Sequence, residues 1–180
     1  MRKGIAKWIA ICLVALQLLS FNGCGVRIGW LGLGDNKTIN EVKEGIPTGE
    51  TKEAKKQRKQ FIKDFYRIWE SLNPSKRVFN NSLNDFIYVK YISVDETAGQ
   101  ASHRYISTLA IMFLTEILEN AVQKGVPKNS DATKKNQRGF EKIIAMEYCK
   151  KEFGTINLTV GVKRGTKEKI QYCVTAIENG

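Results

Sequence analysis

Ile156-Asn-Leu-Thr-Val-Gly-Val-Lys-Arg-Gly-Thr-Lys-Glu-Lys-Ile-Gln-Tyr-Cys-Val-Thr-Ala176 is the stretch on which the fold turns. Ile156, Leu158, Val160 and Val162 alternate with Asn157, Thr159, Gly161 and Lys163. After Arg164-Gly165-Thr166 the residues Ile170, Tyr172, Val174 and Ala176 alternate in the same way. A period of two belongs to a strand with one buried face, and the intervening glycine suits a turn, so the segment predicts a hairpin. Centring the turn on Gly165 sets residue 160 opposite 170, 158 opposite 172 and 156 opposite 174, with every apolar side chain meeting another on one face.

Upstream of the hairpin, Ala132 to Phe153 reads as a helix interrupted or delayed near Gly139, with Phe140, Ile143, Ile144, Met146 and Tyr148 as its apolar positions. Residues 98 to 124 predict the core helix: Leu109, Phe113, Ile117 and Ala121 recur at spacing four, no charge falls from Tyr105 through Thr115, and Gly125-Val-Pro127 stops the run. Phe86 to Val94 is aromatic and β-branched, as a central strand would be. Thr51 to Leu72 predicts a further helix, with Phe61, Phe65, Ile68 and Leu72 on the apolar side beside Ile62, Tyr66 and Trp69, ended by Asn73-Pro74. Together these elements predict an α+β domain with about three major helices and a small, largely antiparallel sheet ending in a C-terminal hairpin, the helices on one face.

The whole chain of 180 residues is 42% hydrophobic and 26% charged, which excludes wholesale disorder, collagen-like repetition and a disulfide-dense miniprotein. Its charge is unusual: 29 Lys plus Arg against 18 Asp plus Glu give +11. Such a surface prefers anionic surroundings without specifying them.

The N-terminus is an address. Arg2, Lys3 and Lys7 precede an uncharged apolar run from Trp8 to Leu19, too short to cross a ~30 Å hydrocarbon layer at ~1.5 Å per residue but suited to an export signal. The run gives way to Phe21-Asn22-Gly23-Cys24, and this stretch resembles the lipobox of bacterial lipoproteins. In that family a small residue precedes a cysteine whose thiol takes a diacylglycerol and which becomes the first residue of the mature chain. The resemblance covers residues 1 to 24 alone; Gly23 and Cys24 fit, whereas Phe21 stands where Leu is usual and Asn22 where a small or hydroxylated residue is usual. It implies a signal peptide over 1–23, acylation at Cys24 with palmitate-type chains, and anchoring in the cell envelope. Gly25, where the family's inner-membrane retention signal has Asp, implies sorting to the outer membrane if the envelope has two. Residues 24–50 form the attachment site and a Gly-rich tether, whose Val26, Ile28, Trp30, Leu31 and Leu33 suit either the membrane interface or a short strand. Residues 51–180 form the single folded domain.

Removing the three positive charges of the signal leaves +8 on the mature chain. Residues 51–72 hold seven basic and three acidic side chains, and residues 126–154 seven and four. Lys52, Lys56, Lys59, Lys63 and Arg67 step along one side of the first helix as a basic stripe, with Lys55 and Arg58 nearby, in the half of a helix where its dipole disfavours cations.

Chemistry is thinly encoded. Cys149 and Cys173 remain as an even pair in an exported domain, open to a disulfide or to two free thiols; Cys173 faces away from Ile170, Tyr172 and Val174, which argues partly against the bridge. Gly29-Trp-Leu-Gly32-Leu-Gly34 lacks the Lys-Ser/Thr and the strand-turn-helix setting of a phosphate loop. No metal or cofactor signature is present. Asp95 and Glu96, placed between strand and helix with His103 eight residues on, could supply a hydrolytic site, although acidic residues there also suit a helix N-terminus. The leading expectation is a non-catalytic, lipid-anchored envelope protein whose basic stripe contacts an anionic polymer or a partner protein in an envelope complex. An envelope hydrolase at Asp95, Glu96 and His103, and a secreted basic protein without lipid, are the alternatives. Export demotes nucleic acid as a partner.

Overall fold

The computed structural model describes residues 45–177. The expected signal peptide, Cys24 and the expected tether as far as Glu44 lie outside the described residues. From Ile46 onward the chain forms one compact unit.

Helix α1 (Lys52–Leu72) begins where Thr51 offers its hydroxyl to the Ala54 N–H at 3.1 Å, and it ends where the Asn73 N–H reaches the Trp69 carbonyl at 2.9 Å. Its buried residues are Ala54, Arg58, Ile62, Tyr66 and Trp69, stepping by four, four, four and three. The burial face is therefore rotated from the Phe61-Phe65-Ile68-Leu72 line, whose members are half-buried along its flank.

Strands β1 (Arg77–Asn80) and β2 (Asp85–Tyr88) form a short antiparallel hairpin. The strand expected through Val94 stops early because Ser93 turns its hydroxyl back to the Lys90 N–H at 2.9 Å and starts helix α2 (Tyr91–Ala101). The single core helix expected over 98–124 is instead α2 followed by α3 (Tyr105–Ala110), a 3-10 turn at Ile111–Phe113 and α4 (Leu114–Asn120). Extended backbone at Arg104 (φ −126°, ψ 135°) separates α2 from α3.

Short strands β3 (Val122–Gln123) and β4 (Lys128–Asn129) both pair with β5 (Phe140–Lys150), followed by β6 (Gly154–Lys163) and β7 (Lys169–Ile177). β5 corrects the helix expected over 132–153. Its Glu, Lys, Ala and Met favour a helix locally, but continuous antiparallel pairing with β6 overrides that preference and turns Ile144, Met146 and Tyr148 to one side. The order β1-β2-β7-β6-β5-β3, antiparallel except for β2 beside β7, makes a seven-stranded sheet, so the α+β class and the terminal hairpin hold while the sheet is not small.

The hairpin exists with a different register. Leu158 faces Val174 and Ile156 faces Ala176, but a bulge between Thr159 and Val160 sets Val160 opposite Gln171 and leaves Tyr172 as the extra residue. Gln171 is thereby turned into the core on the side of Leu158 and Val160, where it is fully buried. Ile170 and Tyr172 join Phe140 in a second, smaller cluster. Phe140 lies against Gly161, where a Cβ would fall 2.6 Å from its ring, so this mid-strand position requires glycine.

Beyond Ile170, no strand among the described residues lies on the outer edge of β7, and helix hydroxyls take that place. Ser93 Oγ donates to the Gln171 carbonyl at 2.6 Å, Thr97 Oγ1 accepts the Val174 N–H at 3.3 Å, and Ser107 Oγ both donates to the Ala176 carbonyl at 3.0 Å and accepts its N–H at 2.9 Å. Replacing Ser107 by Ala leaves two buried backbone groups unpaired. The variant is expected to lose about 2–4 kcal/mol in chemical denaturation, whereas Ser107→Thr retains most of the stability.

Candidate functional site

Arg58 lies within the basic run but not on the surface: it is 0% exposed. Its Nε donates to the Ser102 carbonyl at 2.8 Å, its Nη1 to the carbonyls of Pro47 at 2.7 Å and Gly49 at 2.6 Å, and its Nη2 reaches the His103 carbonyl at 3.4 Å and Glu50 at 3.8 Å. One guanidinium therefore closes the carbonyl end of α2 and fastens residues 47–50 to the base of α1. A planar fork of five donors can do this and an ammonium cannot. Ile46, 2% exposed, seals the same corner.

Directly beyond this clamp the stripe begins. Lys52, Lys56 and Lys59 are exposed and have no acidic partner among the described residues. Lys55 pairs with Glu50 at 3.3 Å, Lys63 approaches Asp95 at 3.9 Å, and Arg67 pairs with Asp64 at 2.9 Å. The stripe thus divides into an unpaired N-terminal half and a paired C-terminal half.

The paired half forms one bank of a cleft of about 400 Å³ between α1 and α2. Tyr66 lies at its base, Lys63, Glu70 and Lys76 stand along one side, and Tyr91 and Asp95 stand along the other. A second, shallower cleft of about 690 Å³ runs on the far side of the same α2 ridge, between Glu96 and Lys135-Asn136. Tyr91 stands between the two, 81% exposed. Below the first cleft the Gln171 amide donates to the Tyr66 hydroxyl at 2.7 Å and to Thr97 at 2.9 Å, while its carbonyl oxygen has no hydrogen-bond partner among the described residues.

Asp95, Glu96 and His103 are not brought together. α2 starts at Tyr91, so both acids sit inside the helix rather than at its cap, and nearly two turns separate Asp95 from its end. Asp95 is engaged by Lys63, Glu96 accepts from Asn136 Nδ2 at 2.8 Å, and His103 lies exposed past the helix with its carbonyl on Arg58. Among the described residues no group of three or more His, Cys, Asp or Glu side chains could hold a metal, and no helix is long and apolar enough to cross a membrane.

Cys149 and Cys173 are free thiols, which corrects the possible disulfide. Cys149 is level with Thr155 on β6 and Cys173 with Thr159, so a whole strand and four residues of stagger separate them. Burial, with the Glu96 carboxylate nearby, pushes the Cys173 thiol up from its ordinary value of 9.0 to about 12, and the same two causes raise the Tyr172 hydroxyl to about 12.

No protein-family model, no curated protein and no solved structure matches this chain.

The thiols differ in a way that alkylation reads. At pH 8 iodoacetamide is expected to modify exposed Cys149 and spare Cys173, with both modified after denaturation, as peptide mass mapping shows. Because Cys173 and Tyr172 keep their protons to higher pH when folded, the folded state binds more protons than the unfolded one between roughly pH 9 and 12. Stability is therefore expected to hold below pH 9 and to decline as pH rises through that window in denaturant titrations.

Proposed function

We propose that the protein is a lipid-anchored component of a bacterial cell envelope, non-catalytic, in which the N-terminal half of α1 contacts an anionic envelope surface. The observation that carries this reading is the position of the unpaired lysines. Lys52, Lys56 and Lys59 lie within the first turns of α1, immediately beyond the residues that Arg58 clamps to the domain. Cations there oppose the helix dipole and, although Glu53 stands in the same first turn, make no ion pair among the described residues, an arrangement that an external anion relieves.

Lipid at Cys24 supplies position in this reading, and residues 24–45, ahead of the segment that Arg58 fastens to the domain, supply reach. From Cys24 to Gly45 the chain can span at most roughly 75 Å when fully extended, which leaves the basic end of the domain free to meet the anchoring membrane or a polymer close to it. Each lysine near an anionic surface contributes ~1 kcal/mol, so three contribute roughly 3 kcal/mol, or about a hundredfold in affinity.

Changing Lys52, Lys56 and Lys59 together to Gln is expected to weaken association with vesicles rich in phosphatidylglycerol by about ten- to a hundredfold and to flatten its salt dependence. Equal, salt-insensitive binding by both forms would remove the contact from α1. Intact mass of the mature protein tests the anchor: a diacylglycerol on Cys24 adds mass, and Cys24→Ala abolishes partition into the detergent phase. An unacylated chain that stays in the aqueous phase would instead support the secreted basic protein, and one that still partitions would point to a different mode of attachment.

A further inference from the structure

We propose that the α2 ridge carrying Tyr91 and Asp95 is a binding site for a glycan chain, with the Tyr91 ring as its stacking platform. This site is separate from the unpaired lysines at the start of α1 and does not rest on lipid anchoring.

Three observations converge on it. Tyr91 is a large aromatic side chain held 81% exposed on a helix, flanked on both sides by concave surface of about 400 and about 690 Å³. Both volumes fall within the range of small-molecule sites. An aromatic ring standing proud between two hollows suits a chain laid across the ridge, with one unit against the ring and its neighbours in the hollows.

The charges give the class of ligand. Lys63 lies 3.9 Å from Asp95, Lys76 lies 3.0 Å from Glu70, and Arg67, the third cation on the first cleft, pairs with Asp64 at 2.9 Å, so each cation there has a carboxylate beside it. A simple anion would meet Glu70 and Asp95 as well as the lysines. A cation would meet the lysines, and no cluster of acids suited to a metal exists among the described residues. An apolar helix would have to lie against the charged Lys63, Glu70, Lys76 and Asp95 that line the first cleft. What closely spaced donors and acceptors beside an aromatic face do match is a sugar: vicinal hydroxyls both donate and accept, and the C–H face of a pyranose packs on a ring. The second cleft continues this pattern, with the Glu96 carboxylate held by Asn136 and the Lys135 ammonium nearby.

The floor of the first cleft is already rigid. Tyr66, 1% exposed, is fixed by Gln171 and Thr97 from below, and Ser93 and Thr97 fasten α2 to β7. The ridge is thus presented on a helix fastened to the sheet by hydrogen bonds, which limits the ordering that binding must impose.

The test is calorimetric titration of the full-length protein in mild detergent with soluble hexasaccharides of N-acetylglucosamine, glucose and galacturonate. At least one is expected to bind with a sub-millimolar Kd. Tyr91→Ala should weaken that binding by about tenfold or more, Tyr91→Phe should keep it within about twofold, and Asp95→Asn should weaken it a few-fold. Tyr91 is exposed enough for its Ala variant to keep the parental melting temperature, which separates lost contact from lost fold. The Lys52, Lys56 and Lys59 triple Gln variant should retain glycan binding while losing its attraction to anionic vesicles. If no hexasaccharide binds, or if Tyr91→Ala binds as well as the parent, the proposal is overturned. If galacturonate alone binds and is lost in the triple Gln variant but not in Tyr91→Ala, the proposal falls while the α1 contact stands.

Discussion

The outer edge of β7 sets the terms for the rest of the domain. β2 accompanies β7 only at Lys169 and Ile170, and the remaining edge would be a row of unpaired backbone groups in the core. Ser93, Thr97 and Ser107 fill it. A hydroxyl is short, so the helices that carry these residues must lie almost against the strand. α2 can do so because its inner face consists of Ser93, Thr97, Ala98 and Ala101, all buried. Ser107 reaches Ala176 only if the chain breaks after Ala101 and redirects, and that break frees the carbonyls of Ser102 and His103. Arg58 takes both. The buried guanidinium on α1 is thus a consequence of how an edge two elements away is closed.

The same edge explains why the register differs from simple alternation. With Thr97 drawn in, the Gln171 amide finds Thr97 and Tyr66, and its burial follows from the one-residue bulge that shifts β7 opposite Val160. Tyr172 is displaced to the cluster with Phe140 and Ile170, where the space above Gly161 receives the Phe140 ring. An alternating pattern reports which strands exist, and Ile170 to Ala176 alternates without a break at the place where β7 bulges, so the hairpin is legible and its register is not. Gly161 marks something else, the close approach of the Phe140 ring.

Other differences have equally local causes. β5 is rich in residues that favour helices in isolation, and nothing within Phe140 to Lys150 shows that ten residues of β6 lie alongside. The uncharged run from Tyr105 through Thr115 marked the core correctly but concealed the breaks at Arg104 and at Ile111–Phe113, because serines that close a strand edge resemble serines that disturb a helix. Arg58 was counted with the surface lysines because charge is the first thing its side chain offers. Its spacing of four from both Ala54 and Ile62 carries the opposite message, and on that helix the spacing was decisive.

Net charge is a poor locator until the pairs are removed. Lys90 and Lys163 share Glu168, and Lys150, Lys167 and Lys169 engage Glu116, Glu141 and Asp85, so much of the sheet's basicity is spent internally. Lys52, Lys56 and Lys59 at the start of α1, Lys128 and Lys135 along the segment that leads into β5, and Lys142 within β5 have no acidic partner among the described residues. Paired charges present donors and acceptors at short range and little field; unpaired ones present field and little shape. The two kinds of surface favour different partners. On α1 they follow one another along a single helix, unpaired at Lys52, Lys56 and Lys59 and paired at Lys63 and Arg67, so one element can face an extended anion at one end and a shaped, neutral ligand at the other.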